Sequence, residues 1–137
     1  RIPTNFTAYI HTLPPWEQDL LLGVVFLFSP YEIIHRLQTI DHHHKLYLVS
    51  DGSLTEDVIT YGWVFGTDHG VIYAEHSGCG YGTPTSHRAE AWGMLSATLF
   101  LARLLSYTSG FQLPDFPALA LFSDNNGLIR RISRRFS

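Results

Sequence analysis

The sequence predicts a mixed α/β domain behind an N-terminal helical segment. Three observations carry this. From residue 45 the strand-like and helix-like patterns follow the order β-β-β-α-β-α. Thr67-Asp68-His69-Gly70 separates two β-prone runs, so the early strands form an antiparallel meander. The helical stretch His87–Ser106 is long enough for a crossover, and right-handed crossovers place the next strand parallel to an earlier one.

Residues 1–15 contain Pro3, Pro14 and Pro15 and read as an extended linker. Pro15 then opens a predicted helix of about 13 residues, with Glu17 and Asp19 where the helix dipole favours acids. Its Leu20–Phe28 run is apolar on nearly every face, as in a helix buried all round. A short helix follows Pro30, from Tyr31 to Gln38, and a boundary falls near residue 44. This divides the chain into a linker and apolar helical segment, 1–44, and an α/β domain, 45–137.

In that domain, Lys45–Ser50 is a short strand ending at Asp51-Gly52-Ser53. Thr60–Gly66 and Val71–His76 form the hairpin, and a glycine-rich loop, residues 78–82, follows. Thr85 or Ser86 caps the crossover helix, whose Trp92, Leu95, Leu99, Ala102 and Leu105 are spaced for one buried face. After a loop with Pro114 and Pro117, Ala118–Ser123 reads as the strand parallel to Lys45–Ser50, and Asn126–Phe136 as a last helix.

Composition narrows the function. With 137 residues there is room for one ordinary domain. An aromatic share of 14% and a charged share of 15% exclude a disordered tail. One cysteine, Cys79, excludes an intrachain disulfide framework. The longest apolar run is nine residues, about half of the roughly 20 that span a bilayer. No secretory signal is visible either, so the expected location is intracellular. Four of the nine basic residues are Arg130, Arg131, Arg134 and Arg135, leaving 5 basic against 12 acidic groups in residues 1–129. A polyphosphate partner would therefore be held by local basic residues or a metal, not by bulk charge. The arginine cluster also fits a solvated helix end. The chain begins at Arg1, as a piece of something longer would.

Three carboxylates stand in informative places. Asp51 and Asp124 close the first and fourth strands, and Glu90 sits in the first turn of the crossover helix. If those strands are neighbours, their ends lie about 5 Å apart. Ligands of open α/β sheets bind at such carboxyl ends. Three converging acids repel one another unless a proton or cation neutralises them. Their oxygens select hard cations, Mg²⁺ or Mn²⁺, and two such ions can clamp the attacking and leaving oxygens of a phosphodiester. Separately, each acid also suits a plain turn or helix cap.

The segments Val49-Ser50-Asp51-Gly52-Ser53, Tyr61-Gly62-Trp63-Val64, Thr85-Ser86-His87-Arg88-Ala89-Glu90 and Leu121-Phe122-Ser123-Asp124-Asn125 together resemble the ribonuclease H family. More narrowly, they are similar to the ribonuclease H domain of retroelement reverse transcriptases, over about residues 45–135. The resemblance implies a ribonuclease H-like fold and two Mg²⁺ ions held by Asp51, Glu90 and Asp124. It also implies an RNA-contacting groove that includes Gly52, Ser53, Ser86 and Asn125. The reaction would be hydrolysis of the RNA strand of an RNA–DNA hybrid, leaving 5′-phosphate and 3′-hydroxyl ends. Selection for RNA would rest on the 2′-hydroxyl.

The sequence departs from the family in three ways. Ser86 and His87 stand where asparagines usually precede the Arg-Ala-Glu signature. The family's fifth strand and final helix, which bears a fourth carboxylate, have no counterpart in the 13 residues after Asp124. Its histidine-containing loop is missing as well. A catalytically inactive remnant, acting as a nucleic-acid-binding or protein-interaction module, is the alternative expectation. The apolar segment at residues 16–28 is expected to dock, on this domain or on a polymerase portion. His42-His43-His44 point in alternating directions along an extended segment and read as solvated linker. Cys79 reads as a plain loop residue.

Overall fold

The computed structural model describes residues 5–39, 45–108 and 119–123. The predicted last helix, the histidine run, the arginine cluster, Asp124 and Asn125 lie outside these residues.

The N-terminal segment differs from its sequence reading in two places. The supposed linker contains a helix, α1 (Phe6–Ile10), whose N-cap Asn5 accepts a hydrogen bond from Ala8 N at 2.7 Å. Phe6 and Ile10, one turn apart, are both buried. The second helix, α2 (Pro15–Leu21), is much shorter than the expected 13 residues. Leu22 turns extended, Gly23 takes φ +94°, and Val25–Phe26 becomes a strand, β1. β-branched and aromatic residues favour that change, and β1 completes an otherwise open edge by pairing Val25 with Glu75 and Phe26 with Ala74. Burial on every side does not follow: Leu22, Val25 and Leu27 are exposed.

Pro30–Thr39 forms α3, close to its predicted span. Ser29 Oγ accepts from Glu32 N at 3.1 Å, and Arg36 lies 4.2 Å above the Phe28 ring.

The sheet contains β2 (Leu46–Thr55), β3 (Val58–Thr67), β4 (Ile72–Cys79) and β5 (Leu119–Ser123), in the order β1-β4-β3-β2-β5. The meander is antiparallel, and β5 runs parallel to β2 with Ser123 opposite Ser50. The strand with Asp51 does not end there. It continues to Thr55, pairing Asp51 with Gly62 and Gly52 with Tyr61. The chain reverses instead at Glu56 and Asp57, both at positive φ, as a two-residue hairpin turn requires. Pairing with β3 thus overrides the turn tendency of Asp-Gly. Likewise Gly78 and Cys79, read as loop, close β4.

The crossover helix, α4 (Ser86–Thr108), is capped by Thr85, whose Oγ1 accepts from Arg88 N at 3.1 Å. Its buried face differs from the predicted one. Ala89, Ser96, Ala97, Phe100, Leu101, Leu104 and Tyr107 are buried, whereas Leu95, Ala102 and Leu105 are exposed. Both sets obey helical spacing, and α4 turns its smaller side chains toward the sheet at its N-terminal end. Phe100 stacks on Trp63 with ring centroids 4.5 Å apart, and one core joins Phe6, Leu21, Ile33, Leu46, Phe65 and Phe100. Residues on both sides of position 44 therefore share that core. Among the described residues no helix is long and apolar enough to cross a membrane.

Candidate functional site

Strand alternation divides β2 between two faces. Ser50 faces α4, where its Oγ lies 3.0 Å from Met94 Sδ, and Gly52 faces α4 as well. Asp51 and Ser53 therefore belong to the opposite face. There a cleft of about 440 Å³ is lined by Asp51, Ser53, Thr60, Glu75 and Ser77 with backbone of Gly62.

Gly52 sets how α4 meets this strand. A Cβ at this position would overlap the Ala89–Glu90 peptide. One turn on, a Cβ at Gly93 would stand 3.2 Å from the Asp51 carbonyl oxygen. Two of the three predicted acids thus belong to backbone segments in direct contact. Asp51 lines the cleft, while Glu90 is half-buried on the first turns of α4 and is not among the lining residues. Ser86 is exposed at the start of that helix. Asp124 follows Ser123, the β5 residue registered against Ser50, but is itself outside the described residues.

No family model, curated protein or solved structure matches this chain.

Two cleft residues carry no motif and escaped the sequence reading, Glu75 and His76. Their signal is positional: they stand opposite Val64 and Trp63 in the β3–β4 ladder. His76 is buried against the Tyr61 and Trp63 rings, with both centroids 5.8 Å from its own. The Gly23 backbone passes beside the imidazole without well-formed hydrogen-bond geometry to either ring nitrogen. Burial holds its pKa below the ordinary value of 6.5 and favours the neutral ring. Burial likewise raises the Tyr61 phenol above its usual 10.0.

Among the described residues no three histidine, cysteine or carboxylate side chains converge as a metal-binding group. The candidate donors, Asp51 on the cleft face and Glu90 on α4, are carboxylates, whose oxygens suit Mg²⁺ or Mn²⁺ and not a soft metal.

Proposed function

We propose that this chain is a ribonuclease H-like, metal-dependent endonuclease domain that hydrolyses the RNA strand of RNA–DNA hybrids, as part of a retroelement reverse transcriptase polyprotein. The observation that supports this most is the seating of the Ala89–Glu90 peptide on Gly52, beside the parallel β2–β5 pair. That contact brings an Asp-Gly-Ser strand and an Arg-Ala-Glu helix start into one place.

In this reading Asp51, Glu90 and Asp124 hold two Mg²⁺ ions. When bound, such ions neutralise phosphate charge and lower the pKa of a coordinated water. The chain's own groups supply the rest. The carboxylates fix the ligand set, and Ser53 and Ser86 offer hydroxyls that donate to or accept from the RNA backbone and its 2′-hydroxyl. Gly52 lets the first turns of α4 seat directly on the strand that carries Asp51.

The test is cleavage of an end-labelled RNA–DNA hybrid with Mg²⁺. Cleavage of the RNA strand alone is expected, lost in Asp51→Asn and in Glu90→Gln while the circular dichroism spectrum is retained. Undiminished cleavage by Asp51→Asn would remove the proposal. Hybrid binding without cleavage by the unaltered chain would favour the binding-module reading instead.

A further inference from the structure

Away from the cleft, a second cavity of about 210 Å³ opens between α2, the end of β4 and α4. Trp16, Tyr61, Tyr81 and Trp92 line it together with Asp19, Leu20, Cys79 and Leu95. The aromatic groups come from four separate parts of the chain. Trp16 and Tyr81 are 57% and 68% exposed, so both rings are open to a ligand from solvent. The wall is built rather than incidental. Trp92 Nε1 donates to the Tyr81 carbonyl at 3.0 Å, and the loop passes so close that a Cβ at Gly80 would overlap the indole.

Two features select the occupant. The Tyr81 and Trp92 rings stand at 77° to each other with centroids 5.7 Å apart. A flat ligand such as a nucleobase can stack on only one of two perpendicular faces, whereas a round group meets both. Among the described residues that line the cavity, the one charged side chain is Asp19, whose carboxylate calls for a cation and repels phosphate. A round cation inside aromatic walls is the geometry of quaternary ammonium recognition. The volume equals that of about seven liquid waters, enough for a trimethylammonium head with part of its tether.

We propose that this cavity is a binding site for a methylated ammonium group, on a trimethyl-lysine side chain or a choline-like small molecule. The proposal is independent of the nuclease reading.

The experiment follows the indole N–H signals of Trp16, Trp63 and Trp92 in the full chain by NMR during titration with three cations: tetramethylammonium, choline and a trimethyl-lysine peptide. Neutral comparators are neopentyl alcohol and the peptide's tert-butyl isostere. Saturable shifts of Trp16 and Trp92 with at least one cation are expected, with Trp63 unmoved. Response to the peptide alone identifies a protein side chain as the source. Response to choline identifies a small molecule. Trp16→Ala should weaken binding roughly fivefold. Asp19→Asn should weaken it too and reduce its salt dependence. Tyr31→Ala, on an exposed ring that does not line the cavity, should leave it unchanged. Absence of saturable shifts with any cation, or equal affinity for the neutral comparators, would overturn the assignment.

Discussion

Gly52 and Ala89 meet backbone to backbone, with no side chain between strand and helix. Any atom added at Gly52 must displace α4 itself, since the obstacle is a peptide and not a flexible side chain. Gly52→Ala is expected to lower unfolding stability by about 2–3 kcal/mol, the upper part of the overpacking range. Chemical denaturation checks this. Gly93→Ala should cost less, because its nearest neighbour would stand 3.2 Å away and alanine favours the helix. Equal midpoints for Gly52→Ala and the unaltered chain would mean that α4 does not rest on β2.

Glu17 and Arg103 tie α2 to α4 through two short bonds, Arg103 Nε to Glu17 Oε1 at 2.6 Å and Nη2 to Oε2 at 2.7 Å. Glu17 is buried, while Arg103 keeps part of its side chain in solvent. The carboxylate partner pushes the guanidinium pKa up further. Arg103→Met strands a buried carboxylate and is expected to cost about 3 kcal/mol. Adding Glu17→Gln to that variant should recover part of the loss. A double variant less stable than Arg103→Met alone would show that the pair does not behave as a desolvated ion pair.

Ser96 is fully buried and joins three elements with one hydroxyl. It accepts from Trp63 Nε1 at 2.9 Å and donates to the Leu20 carbonyl at 2.9 Å. Ser96→Ala leaves both partners without this bond inside the core, and a loss of about 2 kcal/mol is expected. Ser96→Cys should fall between the two in thermal unfolding, since a thiol bonds weakly. Unchanged stability in Ser96→Ala would contradict this role.

His76 makes stability depend on pH. Its folded-state pKa lies below the unfolded value near 6.5, so the unfolded chain binds the extra proton first. The stabilisation is complete above about pH 6.5 and declines as pH falls from there toward the folded value. His76→Phe keeps the ring and removes the proton site. The difference in unfolding free energy between the two proteins should shift in favour of the variant between pH 7 and pH 5. A constant difference over that interval would show that the imidazole does not titrate on unfolding.

Much was legible in the sequence by itself. Two β-prone runs around a four-residue turn marked β3 and β4, the cap at Thr85 or Ser86 and helical spacing marked α4, and the β-prone run at 118–123 marked the strand that pairs with β2. Asp51-Gly52-Ser53 and Arg88-Ala89-Glu90 were legible as a candidate site only in combination, since each acid alone also suits a turn or a helix cap. Other features were decided only in three dimensions. Two faces of α4 satisfy the same periodicity, and contact with Gly52 selected the one that begins at Ala89. Gly23 and the open edge of β4 converted the end of an apolar helix into a strand. Pairing with Gly62 carried β2 past an Asp-Gly step that locally favours a turn. Glu75, His76 and the ring cavity around Trp92 bear no motif, because the residues that define them come from distant parts of the chain. Local patterns record what each segment can become; competition for shared surface and backbone partners chooses among those options, and that competition exists only in the folded chain.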